Sequence, residues 1–143
     1  MTATLSVYLA ASILGGRDYA TAYRTIADQL AAETATLLSP QVLDPAEDNG
    51  LTEAQVYDRD VAALNRADCL VAEISQPSLG VGFEIAYAVG LARPVLALYD
   101  TRVAGRVSAM VLGCRQVRTV AYRDESAMRS AVHDFLCAIR TSL

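Results

Sequence analysis

The chain is poor in the residues on which several classes of protein chemistry depend. It has one histidine, His133, in 143 residues, so no mechanism that needs two histidines is open to it. Its three cysteines, Cys69, Cys114 and Cys137, are odd in number and form no C-x-x-C pair. That argues against both a disulfide framework and a zinc site, and the expected place of all three is the core. Basic residues are outnumbered, 12 Arg and Lys against 16 Asp and Glu, for a formal charge of −4 and a pI near 4.9. Nucleic acids and anionic membranes select for basic stripes, so neither a nucleic-acid polymer nor a membrane is an expected partner. No apolar run approaches the ~20 residues that span a bilayer. The stretch "MTATLSVYLAASILGG" has an apolar centre but no basic flank and alternates like a strand. It reads as structure and not as a signal peptide, and the expected location is cytoplasmic. His133, in "SAVHDFLCAI", is expected on the surface of an amphipathic helix. Acid–base work is left to carboxylates and tyrosines.

What is present is a regular alternation. At 143 residues, 53% hydrophobic and 20% charged, the chain has the length and composition of one domain spanning 1–143. "TLSVYLAA", "TATLLS", "CLVAEI", "VLALYD" and "QVRTVAY" read as strands. Between and after them lie helical patterns: "YATAYRTIADQLAAE", "LTEAQVYDRDVAALNRA" with Thr52 as cap, "GFEIAYAVGLA", the short "VSAMVLG", and "DESAMRSAVHDFLCAIRTSL" capped by Asp124. Strands alternating with helices imply an α/β protein with a parallel sheet covered on both faces. Ligands of such sheets bind at the carboxyl ends of the strands. The loops "AASILGGRD", "SPQVLDP" and "SQPSLGVG" all leave strands and would converge there.

Four carboxylates deserve weighing: Asp58, Asp60, Glu73 and Glu84. Asp58 and Asp60 are two apart on a predicted helix, so only one can face a pocket while the other meets solvent. Glu73 is embedded in a strand and needs a partner or a place at its end. Glu84 follows the loop "SQPSLGVG" and is expected on the first turn of a helix, where the macrodipole favours a carboxylate by under ~1 kcal/mol. Singly, each has an ordinary structural explanation. As a pair on separate elements, with Gly80 and Gly82 letting backbone approach a ligand, Asp60 and Glu84 suit glycosidic-bond cleavage, in which one carboxylate attacks or stabilises the anomeric carbon and the other handles the leaving group's proton. Ser12 and Ser78, hydroxyls in loops that lead into helices, suit a phosphate. The pair Gly15–Gly16 matches neither a Walker loop nor G-x-G-x-x-G, so ATP and dinucleotides gain little support.

These residues carry a resemblance. From "VYLAASILGGRD" through "DVAALNRADCLVAEISQPSLGVGFEIAYAV" to "GRVSAM", the chain resembles the nucleoside 2-deoxyribosyltransferase superfamily, and within it the 2′-deoxynucleoside 5′-monophosphate N-hydrolases. The resemblance implies a doubly wound five-stranded parallel sheet with the flavodoxin-like strand order 2-1-3-4-5. It implies Glu84 as the nucleophile that forms a deoxyribosyl-enzyme intermediate, Asp60 as the carboxylate that helps protonate the departing base, and Tyr8 as the residue that orients the nucleophile. Ser12, Ile13, Gly15, Gly16, Ser78, Gly80 and Gly82 fall on the substrate and 5′-phosphate cradle. Ser108, with Met110, falls on a segment contributed across a homodimer interface to complete the neighbouring site. No metal and no cofactor is implied. On this reading the helix N-terminus helps keep Glu84 ionised, and Asp60 needs a raised pKa.

Two positions depart from the hydrolase pattern. Leu14 stands where a basic residue is usual, with Arg17 near enough to substitute, and Gln41 stands where a histidine is common. In transferase relatives a glutamine in that region contacts the base. The expected function is hydrolysis of a 2′-deoxynucleoside 5′-monophosphate, a purine such as dGMP preferred, to free base and 2-deoxyribose 5-phosphate. The alternatives are a 2′-deoxyribosyltransferase exchanging bases between deoxynucleosides, and a nucleotide-binding module that turns nothing over.

Overall fold

The computed structural model describes residues 4–13 and 18–143. Five parallel strands, β1 (Ser6–Ala10), β2 (Thr36–Leu37), β3 (Cys69–Glu73), β4 (Val95–Asp100) and β5 (Val117–Tyr122), form one sheet in the order β2-β1-β3-β4-β5. Helices α1 (Ala20–Ala32), α2 (Glu53–Arg66), α3 (Leu79–Gly90), α4 (Ala109–Leu112) and α5 (Glu125–Ser142) complete it. The α/β class and the strand order 2-1-3-4-5 are as the sequence led one to expect.

Strand residues alternate between two cores, which is why the strands read as unbroken apolar runs. Val7, Leu9, Cys69, Val71, Leu96 and Leu98 pack under α1 and α5, against Tyr23, Ile26, Leu30, Val132 and Leu136. Tyr8, Ala10, Leu70, Ala72, Val95 and Ala97 face the other way, toward α2 and α3, and meet Leu64, Val81, Ile85 and Ala88. Each large side chain so removed from water contributes roughly 1.5–3 kcal/mol. The second face is lined by alanines at three of its strand positions, so α3 can lie close to the sheet and bring its first turns over the end of β1.

Local chemistry sets the boundaries. Thr52 and Gln55 form a reciprocal capping box that starts α2. Asp124 caps α5 by accepting from the Ala127 N–H at 2.7 Å. β2 is much shorter than the six residues expected. Its chain leaves α1 through Thr34 at φ 57°, and Pro40, which has no N–H, stops the ladder. The buried Ser39 hydroxyl replaces the missing strand partner, accepting from Leu9 N–H and donating to Leu9 C=O, each at 2.8 Å. The stretch expected to be a polar loop instead holds two 3-10 turns, Pro40–Val42 and Pro45–Asp48. Among the described residues no helix is long and apolar enough to cross a membrane.

Of the cysteines, Cys69 is buried in the core as expected, whereas Cys114 and Cys137 are only partly buried. Cys137 lies beside His133, which is exposed on α5 and paired with Glu33. Glu73 closes β3 inside the protein and is fully satisfied there. It accepts from the Ser75 N–H at 2.6 Å, the Ser75 hydroxyl at 3.0 Å and the Tyr122 hydroxyl. Burial raises its pKa, opposed by those three bonds. Its place is structural.

Candidate active site

The order of the strands reverses between β1 and β3, where a doubly wound sheet opens a crevice at its carboxyl ends. Tyr8 points from β1 into this crevice from the α2–α3 face, and its ring is buried. Its hydroxyl is hydrogen-bonded to Glu84 of α3. Burial, and then the charge of Glu84, hold the Tyr8 hydroxyl far above the ordinary phenol range, so it stays a donor. Asp60 enters from α2, close enough that its charge acts on both Glu84 and Tyr8. Its neighbour Asp58 is exposed, in keeping with a spacing that lets only one of the two face the pocket.

Glu84 does not sit where the sequence suggested. Helix α3 begins at Leu79, three residues earlier than the pattern indicated, because Ser78 caps it by accepting from the Val81 N–H at 3.3 Å. Glu84 is therefore in the second turn, beyond the reach of the strongest macrodipole effect. Its pKa is raised to about 7, by burial first and by the charge of Asp60; the Tyr8 bond and the Arg59 charge pull the other way. The expectation that the helix N-terminus would keep Glu84 ionised is corrected: desolvation outweighs it.

Asp60 is held from two sides. Its Oδ1 accepts from the Arg59 Nε at 2.8 Å and from the Gln41 Nε2 at 3.0 Å. Gln41 is buried in the Pro40–Val42 turn, so its amide N–H₂ is directed at the carboxylate. Sequence reasoning placed Gln41 at the substrate but missed this contact, which joins residues 19 apart in the chain.

Ser78 is linked to this group through Gly80. A side chain at Gly80 would begin 3.8 Å from the Ser78 hydroxyl and 3.9 Å from Glu84 Oε1, so the missing Cβ leaves a bare surface between the two. Gly82 is exposed on the same turn and meets nothing within 4 Å. Ser12 lies just beyond the end of β1, fully buried, and its hydroxyl has no partner among the described residues. Ile13 is partly buried and packs against the core under α1. Gly15, Gly16 and Arg17, like Leu14, lie outside the described residues.

A cleft of about 630 Å³ runs beside α3 and is lined by Ser78, Gly82, Arg106 and Ser108, among others. Ser108 caps α4, accepting from the Val111 N–H at 3.4 Å, and in this chain it shares the cleft with Ser78. Met110 projects outward, 85% exposed. Tyr8, Asp60, Glu84, Gln41 and Ser78 thus form one group, and Ser78 also lines the cleft that Ser108 reaches. Among the described residues no cluster of three or more His, Cys, Asp or Glu is placed to hold a metal ion.

Chemically, two carboxylates flanked by a tyrosine donor can share a proton and act as nucleophile and acid on one substrate. The chain is similar to several known proteins. A protein of Methanosarcina mazei, provisionally named 2′-deoxynucleoside 5′-phosphate N-hydrolase 1, is 40% identical over 94% of this chain and 85% of its own length. The 5-hydroxymethyl-dUMP N-hydrolase of Tetraodon nigroviridis is 35% identical over 92% of this chain and 96% of its own. Among solved structures, BlsM superposes with a TM-score of 0.77 over 97% of this chain and 93% of its own, at 18% identity. The Clostridium botulinum CMP N-glycosidase BcmB gives 0.64 over 90% and 98%, also at 18% identity. The profile described as Nucleoside 2-deoxyribosyltransferase matches residues 7–131, and the chain belongs to that family.

Proposed function

We propose that this protein is an N-glycosidase that hydrolyses 2′-deoxynucleoside 5′-monophosphates to the free base and 2-deoxyribose 5-phosphate. The observation that carries the reading is the grouping of Glu84 with Asp60 and Tyr8, and with Ser78 across the bare surface of Gly80. The names of the relatives support the same substrate class.

In this mechanism Glu84 attacks the anomeric carbon as the bond to the base breaks. A 2′-deoxy sugar lacks an electron-withdrawing 2′-hydroxyl, so positive charge builds readily on the ring, and two carboxylates stabilise it without a metal. A Glu84 with a pKa near 7 implies that the free site carries a proton on the carboxylate pair near neutral pH. On substrate binding that proton passes to Asp60, which delivers it to the departing base and leaves Glu84 ionised for attack. Asp60 then takes a proton from water, and the hydroxide equivalent cleaves the glycosyl ester and frees Glu84. Tyr8 donates to Glu84 and fixes its orientation. Ser12 and Ser78 serve the 5′-phosphate, and a second copy of the chain brings Ser108 and Met110 over the site.

The test is chromatography of dGMP, dCMP, deoxyguanosine and GMP, each incubated with the protein and with Glu84→Ala, with and without free adenine. Base release from a deoxynucleotide but not from GMP or deoxyguanosine is expected, falling by about 10³-fold or more in the variant. Comparison of dGMP with dCMP reads the expected purine preference. New deoxyadenosine from deoxyguanosine and adenine would make the protein a transferase. No base release from any substrate would overturn the reading.

A further inference from the structure

The residue that organises the carboxylate pair is one that the sequence reading passed over. Arg59 stands between Asp58 and Asp60 in α2, yet its guanidinium turns inward. Nη1 lies 2.6 Å from Asp48 Oδ1 and Nε lies 2.8 Å from Asp60 Oδ1. Asp48 ends the Pro45–Asp48 turn, so Arg59 ties the segment after β2 to the helix that carries Asp60. Both Arg59 and Gln41 donate to the same oxygen of Asp60, and among the described residues no donor reaches Oδ2. One oxygen is anchored, and the other takes no bond from the described residues.

We propose that Arg59 is a positioning residue of the glycosidase reaction: it clamps Asp60 by a single oxygen against Asp48, and it places a fixed positive charge beside Glu84. The proposal rests on the function argued above and adds to it a residue that acts through Asp60 and Glu84. A planar guanidinium suits this role because its donors are locked in one fork, so Asp48 and Asp60 are held at a set angle, which a lysine ammonium does not enforce. The geometry also meets an electrostatic need. Two carboxylates facing one substrate repel each other, and the charge of Asp60 makes Glu84 harder to ionise. Among the described residues, the groups that face Glu84 are Tyr8 from β1 and Asp60 and Arg59 from α2. Of these, Arg59 is the cation, and its charge favours the ionised nucleophile. Burial disfavours the charge on Arg59, but its bonds to Asp60 and Asp48 outweigh that and hold the guanidinium firmly protonated.

Two readouts test it. The first is ¹³C-carboxylate NMR titration of Glu84 in the wild-type protein, Arg59→Gln and Arg59→Lys, which needs no substrate. Loss of the charge is expected to move the Glu84 midpoint upward by about one pH unit in Arg59→Gln, whereas Arg59→Lys keeps it near the wild-type value. The second is steady-state hydrolysis of the best deoxynucleotide against pH. Arg59→Gln is expected to lower kcat by about 10²-fold with a much smaller change in KM, and to move the acidic limb of the profile upward. Arg59→Lys recovers the position of the limb but only part of kcat, and Asp48→Asn lowers kcat less than Arg59→Gln does. An unmoved Glu84 midpoint in Arg59→Gln overturns the electrostatic half of the proposal. Wild-type kcat in that variant overturns the positioning half. A wild-type protein that hydrolyses nothing would instead defeat the functional reading, and the NMR titration would still judge Arg59.

Discussion

Replacing Glu84 by glutamine should stabilise the folded protein at high pH and leave it unchanged at low pH. The folded pKa is about 7 against an ordinary value of 4.5. A carboxylate whose pKa is raised by folding binds its proton more tightly in the native state. Its favourable contribution is therefore complete below about pH 4.5 and is lost as pH rises through about 7. The displacement corresponds to about 3 kcal/mol between those limits. Glutamine keeps the volume and the oxygen that accepts from Tyr8, but carries no charge to desolvate. Urea unfolding of the wild-type protein and Glu84→Gln at pH 4, 6 and 8 measures the difference directly, since every other titrating group is shared. The variant is expected to match the wild type within about 0.5 kcal/mol at pH 4 and to exceed it by about 2–3 kcal/mol at pH 8. A difference that is flat across pH, or a variant less stable at pH 8, would refute the claim that Glu84 is a desolvated carboxylate. The instability of the native charge is the expected companion of function, because a nucleophile held ready in a dry site costs the fold something.

The remaining predictions concern elements away from the site. His133 Nδ1 lies 2.6 Å from Glu33 Oε1, and the bond raises the imidazole above its ordinary pKa. Burial pushes Glu33 upward, yet its bonds to His133, Arg140 and Gln29 outweigh that and hold it low. The histidine's contribution is thus present below its unfolded pKa and lost as pH rises through the folded one. His133→Gln should lower Tm at pH 6 and leave it unchanged at pH 9 in parallel calorimetric scans. Ala92, the residue after the C-cap of α3, has φ 55°, a left-handed conformation that a Cβ disfavours. Ala92→Gly should stabilise the protein by about 0.5–1 kcal/mol in urea unfolding, and a destabilised variant would show that the turn carries no such strain.

The parts of the fold that sequence made legible are those set by local pattern. The alternation of apolar strand runs with helical spacings, the Thr52 and Asp124 caps, and the rule that only one of Asp58 and Asp60 can face the pocket all depend on residues a few positions apart. Tyr8, Asp60 and Glu84 were legible as a set through the resemblance carried by their surrounding blocks. What was not legible depends on distant partners. Gln41 turns to Asp60, Tyr122 to Glu73 across 49 residues, and Arg59 to Asp48, and no spacing rule encodes these pairings. The start of α3 was misread because Pro77, Gly80 and Gly82 look like loop residues, whereas the Ser78 cap draws the glycines into the first turn. That misreading also placed Glu84 nearer the helix end than it is; the upward shift of its pKa comes from burial, which no local pattern encodes. β2 was read too long because apolar composition does not reveal that a serine side chain, rather than backbone, completes the ladder beside Leu9.

The central claim, that Glu84 attacks the sugar in a retaining displacement, is tested most directly by stereochemistry. The protein would be incubated with dGMP, or with whichever deoxynucleotide it hydrolyses best, in water containing methanol. ¹H NMR would then identify the anomer of the methyl 2-deoxyriboside 5-phosphate formed. Two displacements at the anomeric carbon return the β configuration of the nucleotide, and the account predicts the methyl β-glycoside. The α anomer would mean that water or methanol attacks the nucleotide directly, and would contradict Glu84 as the nucleophile.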